Sequence, residues 1–189
     1  MLRLNPESGL VDGARQVPSP NCDERPPDCK PELIVVHGIS LPPGQFGGPW
    51  IDRLFTNRLD PDAHPYFRGI ADTAVSSHLL IERSGDVVQY VPLHKRAWHA
   101  GQSCYADRDG CNDFSIGIEL EGTDTLAYTD AQYAVLCGLV HTLRDSCASL
   151  ANAPIVGHSD IAPERKTDPG PAFDWERFRR QLAVRGVNE

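Results

Sequence analysis

The segment His158-Ser159-Asp160-Ile161-Ala162-Pro163-Glu164-Arg165-Lys166-Thr167-Asp168-Pro169-Gly170 packs an imidazole, an ammonium and several carboxylates between helix breakers. A second imidazole, His37, closes the apolar run Leu33-Ile34-Val35-Val36. Two histidines and one carboxylate form the ligand set of a catalytic Zn²⁺ centre and leave one coordination position open. Zinc in such a site lowers the pKa of water to roughly 7 and polarises a carbonyl oxygen. Amide hydrolysis then needs a base for the water proton and a donor or cation for the tetrahedral oxyanion. Glu119 is a candidate for the first role. Lys166, two residues before Asp168, is brought close by a ligating Asp168 and is a candidate for the second.

On residue type alone, alternatives stay open. A strand-end histidine such as His37 is more often a hydrogen-bonded structural group than a ligand. Glu121 is as eligible as Glu119, Lys166 could be an ordinary surface lysine, and Asp168 before Pro169 could simply start a turn. His64, His78, His94, His99 and His141 compete as ligands; His141 falls near the polar side of a helix, while His78 and His99 are candidates to line a cleft. A cysteine hydrolase using Cys111 or Cys104 with His99 is a rival of another class.

The elements that must position these groups follow from periodicity. Leu33 to Val36, between Pro31 and Gly38, is a strand buried on both faces, with His37 at its end. Phe114, Ile116, Ile118 and Leu120 alternate with Ser115, Gly117, Glu119 and Glu121, so this core strand presents carboxylates on one face. His78 to Glu82 and Val87 to Val91 flank Ser84-Gly85-Asp86 and predict a hairpin. Trp50, Ile51, Leu54 and Phe55 have helical spacing. Thr129 and Gln132 form a capping box before an amphipathic helix through Tyr133, Leu136, Cys137, Val140, Leu143 and Cys147. Ala153 to Val156 predicts a short strand that delivers His158, and Asp174 caps a last helix burying Trp175, Phe178 and Leu182. Interspersed strands and helices predict an α/β fold, a mixed central sheet flanked by helices with the metal site at strand ends.

The 189 residues suit a single domain spanning 1–189, with residues 1–31, rich in Pro, Gly, Asn and Asp, as a wrapping segment and 185–189 as a tail. A formal charge of -8 disfavours nucleic-acid binding. The Arg-rich stretch from Arg177 to Arg185 fits the solvated face and C-terminal end of a helix. Nothing resembles a secretory signal or a membrane span, so a cytoplasmic, monomeric protein is expected. The six cysteines are then expected as reduced thiols, and their spacing, seven residues at the closest, suits no zinc knuckle.

The His158–Gly170 segment, together with Asn112-Asp113-Phe114-Ser115-Ile116-Gly117-Ile118-Glu119-Leu120-Glu121-Gly122-Thr123-Asp124 and Arg96-Ala97-Trp98-His99-Ala100-Gly101, closely resembles the zinc-dependent N-acetylmuramoyl-L-alanine amidase (type 2) family. The resemblance runs from about Val17 to Trp175 and is strongest to the family's cytoplasmic recycling amidases. It implies that His37, His158 and Asp168 bind Zn²⁺ and that Glu119, rather than Glu121, is the catalytic partner of Lys166. Other branches often use Cys as the third ligand. The resemblance implies a soluble 1,6-anhydromuropeptide as substrate; Trp98, His99 and Arg108 are candidate substrate-binding residues, Arg108 as a stand-in for arginines that some relatives carry. An exported amidase acting on intact peptidoglycan and a non-hydrolytic muropeptide-binding protein are the alternatives. Gly38, Ser159, Ala74 and Gly110 depart from the family pattern: relatives often carry Asn at the first position and Cys at the second, and some carry arginine at the last two. The departures at Gly38, Ala74 and Gly110 bear on substrate affinity, because Arg clamps carboxylates bidentately.

Overall fold

In the computed structural model, which describes residues 2–184, the apolar run at Leu33 becomes the second strand of a six-stranded mixed sheet. Its strands are β1 (Arg15–Gln16), β2 (Leu33–Ile39), β3 (Leu79–Ile81), β4 (Val87–Gln89), β5 (Ser115–Glu121) and β6 (Ile155–Gly157), in the spatial order β6-β2-β5-β3-β4-β1. β6, β2, β5 and β3 are mutually parallel, β3 and β4 form the antiparallel hairpin, and β1 runs parallel to β4 at the edge. The expected tail 185–189, with Arg185, lies outside the described residues.

Parallel strands are covered on both faces, which is why β2 is uninterrupted apolar sequence. One face of the sheet packs Ile34, Val36, Ile116, Ile118 and Leu120 against α2 (Asp130–Ser146), through Tyr133, Leu136, Val140 and Leu143. Each such fully buried side chain stabilises the fold by about 1.5–3 kcal/mol. The capping box forms: Gln132 N donates to Thr129 Oγ1 at 3.1 Å, and Thr129 N donates to Gln132 Oε1 at 3.0 Å. On the other face, Leu80, Val88 and Tyr90 meet Ile51, Leu54 and Phe55 of α1 (Trp50–Phe55). A four-residue helix, α3 (His158–Ile161), follows β6 directly. The last helix, α4 (Trp175–Ala183), is capped by Asp174 accepting from Arg177 N at 2.8 Å, and it buries Phe178 in the main core.

Ahead of β2, Arg3–Asn5 pairs with Leu10–Asp12, and Cys22–Asp23 pairs with Arg96–Ala97. Strand extents differ from expectation, and β2 runs through His37 to Ile39 rather than ending at it. The hairpin strands are shorter, and the strand leading to His158 is Ile155–Gly157 rather than Ala153–Val156. Ala153 N is committed to a turn, donating to Leu150 O at 3.0 Å, so the ladder starts later. No helix among the described residues is long and apolar enough to cross a membrane.

Candidate metal centre and its cleft

Register places the site. Val36 on β2 pairs with Gly157 on β6, and His37 pairs with Glu119 on β5. His37, one residue past Val36, and His158, one residue past Gly157, are therefore delivered with Glu119 to the same edge, toward the carboxyl ends of parallel strands, where crevices open in α/β sheets. His158 opens α3 there. Asp168 returns beside it because Ser159 N donates to Asp168 O at 3.0 Å, tying the ends of the loop. Asp160 Oδ2 accepts from Gly157 N at 2.7 Å, which fixes the entry to α3.

His37 Nδ1 lies 2.9 Å from His158 Nδ1, and each lies 3.2 Å from Asp168 Oδ2. Three donors about 2.0–2.1 Å from a tetrahedral Zn²⁺ would stand roughly 3.3 Å apart, close to these spacings. The protons also fit a cation. His158 Nε2 sits 3.2 Å from Ala100 O, an acceptor only, so its proton is on Nε2 and Nδ1 offers a lone pair. That lone pair faces a carboxylate oxygen, and a single proton on His37 would leave the trio electron-rich. Burial pushes His37 down to about 4, with the Asp168 contact only partly opposing, so the imidazole is in its neutral, metal-binding form.

These atoms line a cleft of about 460 Å³ together with Glu119 and Lys166. Leu41, Leu54, Phe55, Ile70 and Val75 form an apolar wall, and Ser40, Thr123 and Asp124 contribute polar groups. Glu119 is only 8% exposed, and its Oε2 is buried without a hydrogen-bond partner. Burial, reinforced by the charge of Asp168 and opposed by Lys166, holds its carboxyl well above the usual range. A cleft-lining carboxyl with an oxygen that nothing in the protein claims is suited to exchange a proton with a bound molecule. Glu121, by contrast, is spent on structure: it accepts from Gly47 N at 2.5 Å and Arg83 N at 3.1 Å, anchoring the loop over the cleft.

The three candidate substrate contacts fare differently. His99 lines the cleft, but both its nitrogens are engaged, Nδ1 at 2.9 Å from His37 Nε2 and Nε2 at 3.0 Å from Ser115 Oγ. Trp98 does not line it, and Trp98 N donates to Ser76 Oγ at 3.0 Å. Arg108 is turned away: it pairs with Glu32 at 2.9 Å and stacks over the Phe114 ring at 3.9 Å. It therefore does not take the place of the missing arginines. Ala74 is exposed and outside the cleft wall, and Gly110 adopts a left-handed φ of 73° that favours glycine. At Gly38, an added Cβ would collide with the Tyr128 hydroxyl, which donates to Pro169 O at 3.0 Å. His78 is buried away from the cleft, accepting from Gly117 N at Nδ1 (3.0 Å), and burial lowers it to about 3.

Several positioning residues had no distinctive sequence signal. Arg25 reaches the carbonyls of Asn112, Asp113, Leu93 and Ser115 at 2.8–3.3 Å and fixes the start of β5. Asn112 Oδ1 accepts from His99 N at 3.1 Å and Ala100 N at 2.8 Å. Arg165 donates to Ala100 O at 2.6 Å and Gln102 O at 2.7 Å. Gly117 did carry a signal, a glycine inside a core strand, which marks close approach of another group. The group is the His99 ring, 2.5 Å from where a Cβ would stand. The cysteine alternative lacks a nucleophile: burial raises the Cys111 thiol, a hydrogen bond to Asp109 raises that of Cys104, and His99 is occupied elsewhere.

Two imidazoles and a carboxylate at the carboxyl ends of parallel strands, open to a cleft, are the layout of a metal-assisted hydrolase. The family model for N-acetylmuramoyl-L-alanine amidase matches residues 27–171, and the chain belongs to that family. It is 62% identical over 184 residues to the 1,6-anhydro-N-acetylmuramyl-L-alanine amidase AmpD of Salmonella typhimurium (strain SL1344), covering 97% of this chain and 98% of the relative. The same-named protein of Escherichia coli (strain K12) is 64% identical over 173 residues, covering 92% and 94%. Among solved structures, the crystal structure of a Se-Met AmpD derivative superposes with a TM-score of 0.90 at 63% identity, covering 94% of this chain and 97% of that one.

Proposed function

We propose that this cleft hydrolyses the amide between 1,6-anhydro-N-acetylmuramic acid and L-alanine in recycled peptidoglycan fragments, with Zn²⁺ held by His37, His158 and Asp168. The observation that carries the reading is the convergence of three donor atoms beside a buried carboxyl oxygen that has no partner of its own. The names of relatives at 62% and 64% identity over nearly the whole chain support the choice of substrate. When bound, zinc supplies Lewis-acid polarisation of the scissile carbonyl and acidification of a water molecule.

The rest is done by the chain. Glu119, whose carboxyl lines the cleft, takes the proton of the attacking water and passes it to the departing alanine nitrogen. Lys166 presents its ammonium to the oxyanion that develops at the former carbonyl. The wall of Leu41, Leu54, Phe55, Ile70 and Val75 keeps water off one side of the reacting amide. The protein acts as a cytoplasmic monomer, one zinc per chain, on a soluble fragment.

The test measures zinc content and analyses products by mass spectrometry on a soluble anhydromuropeptide and, separately, on intact sacculi. Release of L-alanine-terminated peptide from the soluble substrate, lost with chelator and restored by Zn²⁺, is the expected result. Preference for intact sacculi would overturn the substrate assignment, and chelator-insensitive turnover would overturn the metal.

A further inference from the structure

We propose that the dipeptide His99-Ala100, backed by Ser115, positions both imidazole ligands of the centre: His99 places the proton of His37 on Nε2, and Ala100 O does the same for His158. The inference rests on His37 and His158 being ligands. Its core is a chain of hydrogen bonds whose direction only one end can set. Ser115 Oγ lies 2.5 Å from Cys111 O and 3.0 Å from His99 Nε2. A carbonyl oxygen can only accept, so the single hydroxyl proton goes to Cys111 O, and Ser115 Oγ must accept from His99. The proton of His99 is then on Nε2. A neutral imidazole carries one proton, so His99 Nδ1 is a lone pair and receives the proton of His37 Nε2 across 2.9 Å. His37 Nδ1 is left bare, facing His158 Nδ1 at 2.9 Å and Asp168 Oδ2 at 3.2 Å. Both rings are buried, at 1% and 8% exposure, where the uncharged imidazole is favoured.

Two further observations show that this arrangement is built in. Gly117, on the strand between Ser115 and Glu119, leaves room for the His99 ring where a Cβ would stand 2.5 Å from it. Asn112 Oδ1 accepts from both His99 N and Ala100 N, locking the dipeptide, while Ala100 O accepts from His158 Nε2 at 3.2 Å. One short segment therefore sets the tautomer of both ligands, the task that outer-shell carboxylates and carbonyls perform in other metal sites. His99 and Ser115 are positioning residues, since neither reaches the reacting atoms.

The experiment uses the full chain as wild type, His99→Phe and Ser115→Ala. Imidazole ¹⁵N spectra of the metal-free proteins report the tautomer of His37, chelator competition reports Zn²⁺ affinity, and thermal melts report folding. Wild type is expected to hold His37 with Nε2 protonated. His99→Phe is expected to bind Zn²⁺ about 10–100-fold more weakly, as outer-shell losses do, and to show both His37 tautomers. Ser115→Ala, which leaves the His99 ring in place, is expected to weaken binding by a smaller factor. A wild-type His37 protonated at Nδ1 would overturn the proposal, as would a folded His99→Phe with wild-type zinc affinity. If His99→Phe fails to fold, the wild-type tautomer and Ser115→Ala decide. Failure of wild type to bind Zn²⁺ would sink the ligand assignment instead, while the tautomer would still test the hydrogen-bond chain.

Discussion

Glu119 and His37 are register partners on adjacent parallel strands, so the carboxyl with an unpartnered oxygen and the imidazole that faces Asp168 are carried to the cleft by one ladder. Everything the site does depends on that alignment, and most of its consequences can be measured separately from turnover.

In the metal-free protein the folded state holds a proton on Glu119 that the unfolded chain releases above its ordinary value of about 4.5, burial being the main cause; the positive charge of a bound Zn²⁺ would favour the carboxylate that serves as base. Stability from this group is therefore complete below that value and is lost as pH rises toward the raised folded value. In metal-free protein, Glu119→Gln should raise Tm relative to wild type at about pH 7, with the gain vanishing near pH 4. The same variant should lose roughly 10²–10⁴ in kcat. Calorimetric scans across that pH range check the sign, and an unchanged Tm difference would contradict it.

Lys166→Ala should keep its zinc while kcat falls by roughly 10²–10³, the loss seen when an oxyanion donor is removed. Metal analysis alongside steady-state kinetics makes the comparison. Near-normal turnover would remove Lys166 from the chemistry.

Gly117→Ala adds a methyl against the His99 ring, within 2.5–2.9 Å of three ring atoms. Overpacking of this kind costs about 1–3 kcal/mol, to be read as a lower Tm of the metal-free protein. If His99 moves to make room, Zn²⁺ affinity falls as well, which chelator competition would detect.

At Gly38, where relatives often carry Asn, the space is filled by the Tyr128 hydroxyl. Gly38→Asn should therefore be destabilising here, and Tyr128→Phe should cost about 1–3 kcal/mol by leaving the buried Pro169 carbonyl without its donor. Combined, the two should cost less than their sum, with a coupling of about 0.5–3 kcal/mol. Strict additivity in denaturant melts would mean that the two positions do not share the space.

The alternation from Ser115 to Glu121 made the polar face of β5 legible, and the resemblance singled out Glu119 from Glu121. The physical reason for that choice was not legible, because it lies in distant backbone: Gly47 N and Arg83 N claim Glu121 and leave Glu119 alone. That an apolar strand leads into His37 was legible, although β2 runs two residues past it to Ile39, whereas the cross-strand register that sets it beside His158 belongs to pairing, not periodicity. Arg108 fell outside the cleft because its partners, Glu32 and Phe114, are brought to it by a small hairpin that no local pattern announces. Arg25 is likewise invisible in sequence, an ordinary arginine in a Pro-rich segment whose carbonyl partners lie far along the chain.

β5 also limits which length changes the gene can accept. Arg25 grips its first carbonyl, and Glu121 at its last position fastens the loop over the cleft. An insertion of one residue between them would turn every following side chain to the opposite face. An insertion of two would restore the face but leave Glu121 two positions beyond the amides of Gly47 and Arg83 that hold it. Point substitutions along this strand can be graded by size and polarity, but codon insertions and deletions within it have no mild form.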